Sequence, residues 1–350
     1  MKKVLYMTNI EVPYRVRFFN ELAKHCDLTV LYEKHSSESR DITWAKSEHT
    51  HHCRKYLKKE SLFFTGILKH VRTGYDTIIV GCYNSPVQML AMLYMRLMRI
   101  PFIINLDGEP FLEGKGIKNR LKHFFLSGAE QYLVAGEKAA ESLKKAVGRK
   151  TVIPYHFSSL SEEEIKQNMR RSEETCRKRT ILVVGQYFEY KGMDVVLMAA
   201  RMRPDLHYKF VGMGSRTELF AQEHEVPSNV ELIPFLQKEE LEREYLSCGM
   251  LVLPSRQECW GLVINEAASF GMPIVSTWGS GAAVEFLADD YPQFLAKPGD
   301  AISLLGCILT YIAFTEKEQY RAYLQAKGKR YSIESSVTEH INGLEVLLEG

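Results

Sequence analysis

Two glutamates, Glu258 and Glu266, have seven residues between them in PSRQECWGLVINEAASFGMPIVS, residues 254 to 276. The apolar run MLVLPS ends at Pro254 and Ser255, RQEC reads as a loop, and GLVINEAASF reads as a helix closed by Gly271-Met272-Pro273. Glu258 then lies in the loop and Glu266 more than one turn into the helix. The helix start leaves the backbone N–H groups of Gly261, Leu262 and Val263 without intrahelical acceptors, a ready seat for a phosphate. A carboxylate beside an anion seat is unfavourable unless it accepts from hydroxyls, and a vicinal diol offers two such donors. The order Glu, helix start, Glu therefore fits a sugar, a diphosphate and a ribose. The plain alternative is two surface glutamates on an ordinary helix.

Such a loop needs a scaffold. Short, mostly continuous apolar runs recur at intervals that leave room for a helix: KKVLYMT, DLTVLYE, TIIVGCY, PFIINLD, QYLVAG and TVIPY in the first half, then TILVVGQ, YKFVGMG, VELIPFL, MLVLPS, PIVSTW and QFLAKP. Runs without alternation belong to strands buried on both faces of a parallel sheet. Helical periodicity fills the gaps, as in VRFFNELAKH, EKAAESLKKAV, DVVLMAARM and EELEREYLS. The pattern predicts an α/β protein of two Rossmann-like domains facing across a cleft: residues 1–157, a charged linker at 158–179, residues 180–331, and a final helix at 332–350 that packs back on the first domain. A chain of 350 residues also exceeds the usual size of a single core.

Seven scattered cysteines without a Cys-x-x-Cys pair argue for a reducing, cytoplasmic compartment. The apolar run after Met1 is too short for a signal core, and Arg96 and Arg99 interrupt the most apolar region, so no span is expected. Residues 1–150 carry 25 Lys and Arg against 15 Asp and Glu, whereas the whole chain is at +2. The basic first half suits an anionic membrane surface or a phosphorylated acceptor, or is a solvated face without a partner. The basic and aromatic run GKGIKNRLKHFF supplies Lys115, Lys118, Arg120 and Lys122 beside Phe124 and Phe125. No nucleic-acid partner is expected.

Several motifs come together in the second half: Glu258 and Glu266 themselves, GQYFEYKGMDVVLMAA with Lys191-Gly192, FVGMGS with Gly212 and Gly214, NVELIPFL, and SFGMPIVST. With these motifs the chain resembles the retaining GT-B glycosyltransferases of family 4. The resemblance covers residues 180 to about 300 in motif and the first half in architecture, with pieces such as TVIPYHFSS. It implies that Glu258 touches the transferred sugar, Glu266 the ribose and Lys191 the diphosphate. The Gly212-Met213-Gly214 turn would let backbone approach the nucleotide. Three departures stand out. Gln186 occupies the place of an arginine expected on the diphosphate, with Arg256 or Arg216 as candidate replacements. Cys259 and Trp260 stand where Gly and Phe are common. In the first domain a histidine near the reacting carbon is replaced by a choice among Asp107, Glu109 and Glu113, of which Asp107 is preferred; Asp107-Gly108 also reads as a plain turn after a strand.

The implied function is transfer of a sugar from a nucleotide diphosphate sugar to a hydroxyl of a glycan or lipid-diphosphate-linked acceptor, in bacterial surface polysaccharide synthesis. The enzyme would work in the cytoplasm, peripherally at the inner face of the membrane. No cofactor or metal is expected, because the chain contains no Asp-x-Asp. HTHHC (His49, His51, His52, Cys53) lacks a second ligand group at standard spacing. A nucleotide-sugar epimerase on the same scaffold is the alternative, although its usual histidine and carboxylate set is not evident. A nicotinamide oxidoreductase would place G-x-G-x-x-G where this chain has TNIEVPYRV, and an inactive partner subunit would have lost one glutamate.

Overall fold

The computed structural model describes residues 1–34, 50–57, 63–72, 74–108, 116–173 and 179–349. Strands β1 (Lys3–Ile10), β2 (Asp27–Lys34), β3 (Cys53–Tyr56), β4 (Thr77–Val80), β5 (Ile103–Leu106), β6 (Gln131–Ala135) and β7 (Thr151–Tyr155) form one sheet, in the order β3-β2-β1-β4-β5-β6-β7. β8 (Thr180–Val184), β9 (His207–Val211), β10 (Val230–Ile233), β11 (Met250–Leu253), β12 (Ile274–Thr277) and β13 (Leu295–Ala296) form a second, in the order β10-β9-β8-β11-β12-β13. Every pairing is parallel, and the central strands β4, β5, β6, β11 and β12 are buried along their whole length. This accounts for their unbroken apolar character. Both sheets are Rossmann-like, and the fold is α/β.

β3 has no counterpart among the expected strands. Its sequence CRKY carries no apolar run, and it sits at the sheet edge with no residue fully buried. Edge strands bury little, so hydrophobic patterning does not reveal them. Tyr56 is nevertheless tied in by stacking on Tyr32, ring centroids 5.4 Å apart.

The chain divides into two compact units, Met1–Ser159 with Ile333–Gly350, and Leu160–Ser332. The stretch 158–179 contains the helix Glu162–Glu173, which groups with the second unit; its Asn168 side chain donates to Ser269 Oγ at 2.9 Å. In the first unit the helix Ile333–Glu349 lies against β6, β7 and the helix Pro13–Leu22. Gln131 Nε2 donates to the Gly343 carbonyl at 2.9 Å, and a β-carbon on Gly343 would come within 2.9 Å of Leu133.

The same helix seats His340 among Phe18, Tyr155 and Asn105. The Phe18 and Tyr155 rings meet the imidazole edge-on at 4.8 and 4.6 Å. Ser336 O lies 2.7 Å from Nδ1, and Asn105 Nδ2 lies 3.2 Å from Nε2. A neutral ring with the proton on Nδ1 satisfies both contacts. Burial pushes the His340 pKa down to about 4, the Ser336 carbonyl opposes this, and Arg15 adds to it. His52, packed on Phe19 and bonded to Asn20, is likewise pushed down to about 4, by burial and then by Arg54.

A histidine that is neutral when folded and has an ordinary pKa when unfolded binds more protons in the unfolded chain between those two values. Its stabilising contribution is therefore intact above about pH 6.5 and is lost as pH falls to about 4. We expect the unfolding free energy from urea titrations to drop over that window by up to about 3 kcal/mol per histidine. His340→Gln should flatten the slope, and an unchanged slope would show that His340 does not control it.

Candidate functional site

In a sheet whose strand order reverses, the loops leaving the two strands at the reversal open beside each other at the carboxyl edge. The second sheet reverses between β8 and β11. The loop after β8 carries Gln186 to Lys191, and the loop after β11 carries Ser255 to Trp260. They meet through backbone: Arg256 N and Gln257 N both donate to the Tyr190 carbonyl, at 2.8 and 3.3 Å. Gly192 has φ 70°, and a β-carbon on it would stand 2.2 Å from the Pro254 carbonyl oxygen. Only glycine permits this approach.

Lys191, placed by that contact, forms an ion pair with Glu258. Ser255 Oγ donates to the same carboxylate oxygen, Oε2, at 3.1 Å. Among the described residues no donor reaches the other oxygen, Oε1. The glutamate backbone is fixed as well, since Glu258 N donates to Gly279 O at 2.8 Å and Gly281 N donates to Glu258 O at 3.1 Å. Gly279 and Gly281 admit no β-carbon, which would fall 2.4 Å from the Arg256 carbonyl oxygen and 2.2 Å from that of Cys259.

The helix Leu262–Ser269 starts at Gly261, whose φ of 106° turns the chain, and no side chain caps the start. A β-carbon on Gly261 would lie 3.4 Å from Glu258 Cγ, so the uncapped N–H groups of Leu262 and Val263 open next to the Glu258–Lys191 pair. Trp260 is buried beneath, its Nε1 donating to Asn265 Oδ1 at 2.8 Å. Glu266 accepts from the buried Tyr245 hydroxyl at 2.7 Å. Burial and then Glu266 hold Tyr245 well above the ordinary phenol pKa, so it stays a donor. Along the same edge Gly185 and Gly212 face each other, a β-carbon on Gly212 lying 3.5 Å from Gly185 O. Gly214 N donates to Pro234 O at 2.6 Å. The ends of β8 and β9 thus approach each other through glycine backbone.

Glu258, Lys191 and Gly261 are therefore brought together, with Glu266 along the adjoining helix. Arg256 lies in the same loop, but its guanidinium is bidentate to Asp194 at 2.6 and 2.8 Å and also donates to Glu189 O. The Asp194 hydrogen bond raises the Arg256 pKa further. Arg216 lies over the Phe188 ring at 4.1 Å and donates to Tyr187 O. Both candidate substitutes for the missing arginine are thus held by neighbours. Asp194, Ser255 and Tyr245 were not among the residues read from sequence, because each acts through a contact that chain spacing does not reveal.

Asp107 sits at the end of β5 in the first unit. It pairs with the buried Arg15 and accepts from the Tyr155 hydroxyl at 3.0 Å. Arg15 also donates to Tyr6 OH at 3.0 Å, and Tyr6 OH donates to Asn105 Oδ1 at 2.5 Å. Burial opposes the Arg15 charge, Asp107 supports it, and the net result is a pKa well above the ordinary value. Glu109, Glu113 and His49 lie outside the described residues. Among the described residues no group of three or more His, Cys, Asp and Glu is arranged to hold an ion.

In fold the chain is similar to glycosyltransferases of the GT-B type. Residues 164–330 match the family model described as Glycosyl transferases group 1. An uncharacterized glycosyltransferase of Methanocaldococcus jannaschii is 25% identical over 284 residues, covering 79% of this chain and 76% of that protein. The O-antigen chain mannosyltransferase C of Escherichia coli is 29% identical over 143 residues, 39% of this chain and 38% of its own length. HepE of Anabaena, solved in complex with UDP and glucose, superposes with a TM-score of 0.71 at 18% identity over 99% of this chain and 100% of that one.

If Lys191 and Glu258 support each other, removing either leaves the other partly buried without its partner. Lys191→Met and Glu258→Gln should each lower thermal stability, and the double variant should lose less than the two combined, by about 0.5–3 kcal/mol. Strict additivity in melting experiments would show that the two do not interact in solution.

Proposed function

We propose that the chain is a retaining family 4 enzyme that moves a sugar from a nucleotide diphosphate sugar to a hydroxyl of a glycan or lipid-diphosphate-linked acceptor. The observation that carries this reading is the Glu258–Lys191 pair beside the uncapped helix start at Gly261, with Glu266 one helix face further on. That arrangement offers acceptors to diols on either side of an anion seat.

In this reading Glu258 Oε1 takes a hydroxyl of the transferred sugar, while Lys191 and the N–H groups of Leu262 and Val263 meet the diphosphate. The charge on the leaving diphosphate grows as the glycosidic bond breaks, and these fixed donors stabilise it without reorganising. Glu266, aimed by Tyr245, takes the ribose. Gly212, Gly214 and Gln186 line the nucleotide, and Arg256 acts by bracing the Glu189–Lys191 turn through Asp194. In the first unit Asp107 is the carboxylate assigned to the acceptor, its rotamer fixed by Arg15 and Tyr155. The acceptor's proton passes to the leaving phosphate oxygen on the same face of the sugar, which preserves the anomeric configuration.

The named relatives include an O-antigen chain mannosyltransferase, and the basic first half suits an acceptor carried on an anionic membrane. We therefore place the work in surface polysaccharide synthesis at the inner face of the cytoplasmic membrane. Nothing in the comparisons favours the nucleotide-sugar epimerase.

Thermal melts with UDP-, GDP- and dTDP-sugars should show one nucleotide raising the midpoint. Glu266→Ala should weaken binding of that donor by about 1.5–3 kcal/mol, and unchanged affinity would take Glu266 out of the ribose role.

Transfer should also survive excess EDTA, since lysine and backbone donors are assigned the charge that a cation would otherwise neutralise. Loss of activity restored by Mn²⁺ would overturn that assignment.

A further inference from the structure

The helices Pro86–Leu97 and Ile117–Leu126 follow β4 and β5, and their inner faces give Ala91, Met92, Met95, Phe125 and Leu126 to the core of the first unit. Phe125, grouped with the surface run in the sequence, is thus a core residue, and Phe124 is the one that reaches solvent. Large apolar side chains also reach solvent here: Leu97 and Met98 are 73% and 56% exposed, and Leu93, Leu121 and Phe124 are also exposed. Single exposed apolar residues are ordinary, but several grouped together with polar residues at their rim mark an interaction surface. Spacings of three and four residues put Leu93 with Leu97, and Leu121 with Phe124, on common sides of their helices. Arg96 joins the two: its guanidinium lies 4.3 Å over the Phe124 ring and donates to the Phe124 carbonyl.

The two helices carry side-chain charge of one sign only. Neither helix contains an Asp or Glu, whereas Arg96, Arg99, Arg120 and Lys122 accompany the apolar side chains. Arg99 is exposed and has φ 55°, the one non-glycine residue at positive φ among the described residues. It occupies the left-handed position that closes the helix Pro86–Leu97, with Ile100 N donating back to Met95 O at 2.8 Å. Glycine is the ordinary residue there, so an arginine is accommodated at a cost in backbone energy.

We propose that this face docks on an anionic lipid surface, with the leucines, Met98 and Phe124 entering the boundary between headgroups and acyl chains and the arginines meeting lipid phosphates. It rests on the membrane-surface part of the function proposed above and gives it a location.

The test is sedimentation of the full chain with vesicles of equal parts phosphatidylglycerol and phosphatidylcholine, beside vesicles of phosphatidylcholine alone. The expected result is binding to the anionic vesicles only, weakened by salt. Leu97→Glu and Phe124→Glu should each weaken it on the order of tenfold. Arg99→Gly should weaken it about fivefold while melting at the same or a higher temperature, which separates docking from folding. The proposal is overturned if the wild type ignores anionic vesicles at low salt, or if Leu97→Glu and Arg99→Gly bind as the wild type does. It is also overturned if the wild type ignores vesicles and forms a dimer that Phe124→Glu splits, the face then belonging to a second copy. Stabilisation by one of the nucleotide sugars in melts without vesicles reports on the transferase reading separately, so either can fail without the other.

Discussion

The Pro254 carbonyl stands where any side chain at residue 192 would have to be, and the geometry of the second unit's carboxyl edge depends on that close approach. It draws the loop after β8 against the loop after β11 until the Tyr190 carbonyl accepts from two successive amides. Lys191 is thereby presented to Glu258 across 67 residues of chain. Further glycines at 279 and 281 repeat the device on the other side of Glu258, so that a carboxylate in a loop is held by backbone on both flanks. Loops positioned in this way by a rigid sheet can carry chemistry as accurately as helices do.

In both units charge is deployed in pairs. Lys191 with Glu258, Arg256 with Asp194 and, in the first unit, Arg15 with Asp107 are each tied by hydrogen bonds as well as by charge. The three differ in what they leave over. Arg256 and Asp194 satisfy each other on both prongs, which suits a brace. Among the described residues Glu258 receives its donors on one oxygen and keeps the other, which suits a group that has yet to meet a ligand. Arg15 is buried with two tyrosines and an asparagine about it, a polar core in which every member has a partner.

The doubly wound organisation was legible in the sequence because strands buried on both faces must be continuously apolar, and twelve of the strands read that way. The edge strand Cys53–Tyr56 was not, since an edge buries too little to leave a pattern. The interval between Glu258 and Glu266 was legible because both sit on one loop and helix, where spacing along the chain is spacing in space. Pairings such as Lys191 with Glu258 or Tyr245 with Glu266 were hidden, because they depend on which strands lie side by side. That ordering is decided by crossover connections and not by any short motif. The same reason separates Phe124 from its neighbour Phe125: adjacent aromatic residues on a helix point to different sides, and composition alone does not say which one the core takes.

The first unit is built from two stretches of chain, with the whole of the second unit inserted between them. On a ribosome the residues that seat His340 and Gly343 are made long before those two are. Phe18, Asn105, Gln131 and Tyr155 wait, their partners unsynthesised, while residues 160–332 emerge and close into a complete unit. The order of completion is therefore the reverse of the order of synthesis: the second unit matures first, and the first unit is sealed only when the helix Ile333–Glu349 arrives. A nascent chain in that interval exposes a half-built aromatic and amide seat, which is the surface a chaperone would have to shield.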